Sequence, residues 1–196
     1  IQAAWETQKD IREVMLFLQE HGVGVAYATK IYKQYGSQAI QVVSANPYQL
    51  ATDVYGIGFL TADRLAARLN IDRQSSLRLG AGLIYTLDQL ASQGHVYAPR
   101  QLLIDKAQEL LEAEAALLEA ALESQIQAGH LVMEPSEGGE ERIYRRPFFV
   151  AETGIAQLLA RLQQGPGLER PLALDQALEW AQKRRGLELS AEQTQA

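Results

Sequence analysis

The sequence predicts a mainly α fold, in which a bundle of two glycine-cornered helical hairpins precedes a small α+β unit with a β-hairpin. Three observations predict it. Residues 21–32 (HGVGVAYATKIY) and 55–66 (YGIGFLTADRLA) align at an offset of 34. Apolar residues flank each glycine pair at helical spacing. After Ile71, amphipathic helical patterns alternate with short β-like stretches bounded by glycine and proline.

In the repeat, Gly22 matches Gly56, Val23 matches Ile57 and Gly24 matches Gly58, while Ala28, Lys30 and Ile31 match Ala62, Arg64 and Leu65. Val14, Leu16 and Phe17 mark a helix before the first pair, and Ile31 one after it. Leu50 and Val54 precede the second pair, and Leu65 and Leu69 follow it. Asn46-Pro47 is a helix-start signal, because proline at the first helical position lacks only an N–H that has no partner there. Each copy thus reads helix, Gly-apolar-Gly turn, helix, a tandem helix-hairpin-helix pattern.

The turn has a physical logic. Its first glycine ends a helix by taking a positive φ. Its apolar residue plugs the gap between the helices, and its second glycine, lacking a Cβ, leaves room for another backbone. The following helix starts with unpaired N–H groups and the positive end of its dipole, which together suit a phosphate. These residues resemble the helix-hairpin-helix motif, a sequence-independent DNA-backbone binder, and the resemblance implies that Gly22, Gly24, Gly56, Gly58 and Thr61 contact phosphate, with Lys30, Lys33, Arg64 and Arg68 adding charge. A Gly-x-Gly corner also serves as a plain helix–helix turn or a protein contact. Two copies in register, each followed by alanine and a basic residue, favour the DNA backbone. The first copy is the weaker, since Tyr27 stands where the second has Thr61. Hairpin-bearing glycosylases that act as lyases need an amine nucleophile just before the Thr61-Ala62 position. Leu60 is there, and an apolar side chain cannot supply one.

Residues 78–93 form an amphipathic helix stopped by Gly94, and residues 95–99 a β-like stretch ended by Pro99. Helices follow over 100–112 and 114–128, closed by Gly129. Leu131-Val132-Met133 and Ile143-Tyr144 read as strands joined by a turn over 135–140. This order is that of a winged-helix-like α+β unit. Its third helix and lead-in carry Glu112, Glu114, Glu119 and Glu123, and the wing adds Glu134, Glu137, Glu140 and Glu141, with no Lys or Arg from 107 to 141. Phosphates repel such a face, so a structural or docking role is expected here instead of groove reading. Arg142, Arg145 and Arg146 are expected to pair with the glutamate-rich tip. Residues 151–163 then read as a helix, 163–167 as a short linker, and 172–185 as a helix closed by Lys183-Arg184-Arg185 and Gly186.

Bulk properties bound the function. Of 196 residues 47% are hydrophobic and 21% charged, as in ordinary globular chains, and no cysteine is present. Disulfides and cysteine–metal centres are thereby excluded. His21, His95 and His130 lack ligand spacing, so no metal site is expected. No apolar run reaches membrane-spanning length and no signal-peptide pattern opens the chain, which makes the cytoplasm the expected compartment. The net charge of −6 is uneven: residues 1–70 carry six basic and six acidic residues, whereas 71–196 carry twelve and eighteen. DNA contact is therefore expected locally in the first third.

Taken in order, Asn46–Leu50 (NPYQL), Gly56–Ala66 (GIGFLTADRLA), Gly94–Pro99 (GHVYAP), Ala151–Ala156 (AETGIA) and Leu189–Gln193 (LSAEQ) resemble the stand-alone RecD-type superfamily-one DNA helicases. The resemblance implies hairpins ahead of an ATP-driven motor that moves 5′-to-3′ on DNA. It also implies that Gln193 binds the adenine ring in the parent protein, with ATP and Mg there and no cofactor in this piece; Ser190-x-x-Gln193 by itself is also a helix capping box. Ile1 in place of Met, and the absence of G-x-x-x-x-G-K-[ST], lead to the expectation of an excised, non-catalytic piece. The expected domains are 1–75 (tandem hairpins), 76–150 (winged-helix-like) and 151–196 (a helical linker to the motor). The expected partners are DNA and the motor domains of the same chain, without a membrane. A docking module that never touches DNA, and a DNA-repair accessory protein without a motor, remain open alternatives.

Overall fold

The computed structural model describes residues 2–136, 138–164 and 174–190. They are mainly helical. The first copy of the repeat is α1 (Gln2–Glu20) and α2 (Val25–Tyr35), and the second is α4 (Gln49–Asp53) and α5 (Phe59–Arg68). A 3-10 turn at Gly36–Gln38 and α3 (Ala39–Ala45) connect them. The signal at Asn46-Pro47 works through the Asn46 side chain: its Oδ1 accepts the Tyr48 amide at 3.1 Å, ahead of α4.

The core under the hairpins is made by the expected stripes, with one shift. Val14, Ile31, Leu50, Val54 and Leu65 are buried, as are the turn residues Val23 and Ile57. In α1, however, Leu16 is 49% exposed and Leu18 is fully buried. Leu18 lies four residues after Val14 and so shares its helical face, whereas Leu16 is two away and points elsewhere. Each fully buried aliphatic side chain of this kind contributes about 1.5–3 kcal/mol.

After the hairpins come α6 (Ser76–Ser92), β1 (Tyr97–Pro99), α7 (Arg100–Leu111), α8 (Ala115–Gln127), β2 (Leu131–Pro135), β3 (Glu141–Arg145), α9 (Arg146–Gln164) and α10 (Leu174–Arg185). Ser75 N-caps α6, its hydroxyl accepting the Arg78 amide. The three strands form an antiparallel sheet of order β1-β3-β2. The order helix, strand, helix, helix, strand, strand expected from the pattern is thus present. The strands of the wing run longer than the apolar pairs implied, because Glu134↔Arg142 and Pro135↔Glu141 continue the ladder beyond them. Helix α9 starts directly after β3, earlier than the expected residue 151.

Two compact units result, Ile1–Glu152 and Thr153–Ala196. No break falls at 75/76, where the pattern changes. Phe59, Ala62 and Ala66 of α5 lie in the same buried cluster as Leu79, Leu83 and Leu87 of α6 and Leu118 and Leu122 of α8. Tyr48, Phe59 and Tyr85 stack in succession across that junction, with centroids 5.8 and 5.1 Å apart. Helix α5 of the second hairpin is one wall of this shared core, whereas the first hairpin packs in a separate buried cluster. In the second unit α10 ends at Gly186, with φ +64°. Among the described residues no helix is long and apolar enough to cross a membrane.

A polar network fastens the same junction. Arg78, only 6% exposed, donates through Nε to Asp63 Oδ1 (2.8 Å) and through Nη2 to Oδ2 (3.2 Å). Its Nη1 donates to the carbonyls of Arg73 (3.0 Å) and Leu111 (2.9 Å). The Tyr48 hydroxyl adds a third donor to Asp63 at 2.7 Å. Burial pushes the Asp63 carboxyl up, but the hydrogen bonds from Arg78 and Tyr48 and the charge of Arg78 outweigh it and hold the group below its ordinary 3.8. A carboxylate with a depressed folded-state pKa stabilises the fold in full above its unfolded pKa, and that stabilisation is lost as the pH falls through the folded value. Thermal melts of wild type and Asp63→Asn should therefore differ most near neutrality and converge as the pH drops below about 4. A gap that stays constant down to strong acid would contradict this.

Candidate nucleic-acid interface

The two turns are built by different local rules. In the first, the Val23 amide donates to Leu18 O (2.8 Å) and the Gly22 amide to Gln19 O (2.9 Å). That is the six-to-one and five-to-two pairing of a Schellman motif, with buried Val23 against buried Leu18 as its apolar contact. Gly22 sits at φ +76°. In the second, α4 is a short helix and the chain turns at Val54–Ile57, closed by Ile57 N–H to Val54 O at 3.0 Å. Gly56, third in that turn, has φ +92°, a value that favours glycine there. Both first glycines take the expected positive φ and are exposed, but only Gly22 does so at a helix end, since α4 stops at Asp53.

The second glycines differ from expectation. Gly24 (φ −65°, ψ 155°) and Gly58 (φ −100°, ψ 176°) are the N-caps of α2 and α5 in extended conformations that any residue adopts. A Cβ at either would meet nothing within 4 Å. No backbone of this chain exploits the missing side chain, so the space above each helix start is open. Neither N-cap makes a side-chain hydrogen bond to its helix. The leading amides of α2 and α5 consequently have no side-chain cap, and they begin at exposed glycines with the positive end of each helix dipole.

The basic residues do not stay with their own hairpin. Lys30, on α2, reaches the second turn: its Nζ donates to Tyr55 O at 3.0 Å and lies 3.4 Å from where a Cβ on Gly56 would be. Arg68, on α5, reaches the first: a Cβ on Gly22 would fall on its guanidinium. Each of these two cations thus sits at the turn of the other hairpin. Arg64 takes its own side, donating through Nη2 to Thr61 Oγ1 at 3.3 Å, and Thr61 is half-buried. Lys33 is exposed in the last turn of α2. Gln193 lies outside the described residues. The crossing of Lys30 and Arg68 was invisible to the repeat alignment, which pairs Lys30 with Arg64.

The acidic face of the second half is partly neutralised by a residue the sequence reading passed over. Arg100, at the start of α7, donates to Glu119 (2.6 Å), Glu123 (2.7 Å) and Glu141 (2.8 Å). Arg142 approaches Glu134 at 4.0 Å, as expected for the tip. Arg145 instead pairs with Asp88 on α6, and Arg146 donates to Gly129 O at 3.3 Å. Four carboxylates against Arg100 and Arg142 still leave this face negative, although the Arg142 Nε is buried without a hydrogen-bond partner.

Residues 7–97 match the family model of the ATP-dependent RecD2 DNA helicase HHH domain. Over 173 residues the chain is 28% identical to an ATP-dependent RecD2 DNA helicase of Deinococcus radiodurans, an alignment that covers 84% of this chain and 24% of the relative. The chain therefore spans about a quarter of that curated relative's length. Residues 7–97, which hold the glycine-cornered repeat and α6, are thus similar to the helix-hairpin-helix region of RecD2-type helicases.

Proposed function

We propose that the tandem hairpins grip the sugar-phosphate backbone of DNA without regard to sequence, as an accessory region of a 5′-to-3′ ATP-dependent helicase. The ATP and Mg chemistry then belongs to motor domains elsewhere in the parent protein, with Gln193 contributing to the adenine site. One observation carries the reading: α2 and α5 begin with uncapped amides at exposed glycines, with open space above them. Lys30 and Arg68 lie at the adjoining turns, so each helix start has a cation within its neighbourhood. Gly22, Gly24, Gly56, Gly58 and Thr61 supply or shape the backbone contacts, and Lys33 and Arg64 extend the positive strip along the second helices.

A second reading, docking onto protein, draws on Val25 and Leu60, apolar side chains 56% and 55% exposed beside the two N-caps. Salt separates the two. Contacts to two to four phosphates give a log–log slope of binding against salt of about −2 to −4, with dissociation constants on the order of 10⁻⁴ to 10⁻⁶ M. Anisotropy of a labelled oligonucleotide titrated with the 196-residue chain at several salt concentrations measures the slope. A lack of binding at low salt would leave the docking reading in place.

A further inference from the structure

Tyr55 is 93% exposed, beyond any other large apolar or aromatic side chain among the described residues. Its backbone is nevertheless pinned. It is the second residue of the turn closed by Ile57 N–H to Val54 O, and its own carbonyl accepts the Lys30 ammonium. The ring buries almost nothing, so folding does not call for an aromatic residue at this corner. The matching residue of the first copy behaves otherwise. His21 stacks on Phe17 at 4.5 Å and its Nδ1 is 2.8 Å from Phe17 O, so that ring is engaged with its own helix. Lys30 Nζ lies 5.7 Å from the centroid of Tyr55 and 5.7 Å from that of Tyr27. A free aromatic face, an anchored backbone and an adjoining cation therefore meet at one exposed corner, next to the helix start assigned above to phosphate.

We infer that Tyr55 is a stacking platform for an unpaired base, with Lys30 beside it for that strand's phosphate, so that the second hairpin favours single-stranded over duplex DNA. The inference rests on the backbone-binding reading and adds a strand preference to it. Inside a duplex both faces of each base are already covered, and a ring on a turn at the backbone finds no π-face. In a single strand every base offers one, whatever its identity, and a base stacked on an aromatic residue adds affinity without reading sequence.

The test uses the 196-residue chain with a fluorescein-labelled oligo-dT of about 15 nucleotides and a labelled duplex of the same length. Tyr55→Ala should weaken single-strand binding about tenfold or more, leave duplex binding unchanged and keep the salt slope, because stacking releases no counterions. Tyr55→Phe should bind as wild type does. Lys30→Met should instead make the slope shallower by about one. Unchanged single-strand binding in Tyr55→Ala, or equal losses on both DNAs, overturns the stacking role. If Gly24→Asp/Gly58→Asp abolishes binding while Tyr55→Ala does nothing, only this inference falls. If neither change matters, the backbone reading falls with it.

Discussion

Replacing Arg78 with methionine should destabilise the first unit by about 2–4 kcal/mol, the largest loss expected of any single surface-neutral change in the chain. The guanidinium spends four donor contacts on three partners: two on Asp63 and one each on the carbonyls of Arg73 and Leu111. Methionine fills the volume but leaves a carboxylate facing an apolar side chain and two carbonyls without their donor. Asp63 retains the Tyr48 hydroxyl and a side chain 26% exposed, which keeps the cost below that of a fully enclosed orphan charge. In a domain of this size the loss corresponds to a fall in Tm of about 5–15 °C. Arg78→Lys should recover only part of it, since one ammonium cannot reproduce a two-pronged contact to a carboxylate together with two carbonyl contacts. Pairing Arg78→Met with Asp63→Asn should cost less than the sum of the single changes, because the stranded charge is gone. A Tm within a degree or two of wild type for Arg78→Met would show that shared apolar packing alone joins the hairpins to α6.

That junction also marks how far the sequence could be read. The glycine pairs were legible because a positive φ leaves a chemical signature, and Gly22 and Gly56 carry it at +76° and +92°. The helix ends at Gly94, Gly129 and Gly186 were legible for the same reason. Element order after Ile71 followed from alternation and punctuation, which are local properties. What stayed hidden was non-local. Arg78 looked like one polar residue at the start of an amphipathic helix, and nothing in the string ties it to Asp63 fifteen residues earlier or to Leu111. Arg100 likewise stands apart in sequence from the three glutamates that surround it. The repeat itself misled at one point. Alignment at an offset of 34 pairs Lys30 with Arg64 and implies that each serves its own turn, whereas Lys30 reaches the second turn and Arg68 the first. Tyr55 gave no signal as a site because an exposed tyrosine is unremarkable until its surroundings are known.

Gly24→Asp combined with Gly58→Asp should abolish measurable DNA binding while leaving the fold as stable as wild type or slightly more so. The stability half of the expectation comes from geometry. Both glycines occupy N-cap positions in extended backbone with open space above them, and aspartate is among the preferred N-cap residues. Its carboxylate accepts the leading amides and complements the helix dipole, worth a few tenths of a kcal/mol or more at each site. The binding half comes from the same chemistry. The carboxylate takes the donors a phosphate needs and places a like charge where the phosphate would sit. A hydrogen bond to a charged group contributes about 1.5–3 kcal/mol, so loss of two such sockets exceeds what a complex of micromolar or weaker affinity can spare. The neighbouring glycines would give a muddier answer, since any side chain at Gly22 or Gly56 is strained by positive φ and Gly22 also faces Arg68. Circular dichroism melts and anisotropy on one preparation read both halves together. Raised or equal Tm with binding intact would mean that the helix starts never meet phosphate. A collapse in Tm would mean that the open space above the caps is filled in solution. Only unchanged or raised stability with lost binding is consistent with two hairpins that hold a strand by their bare amides.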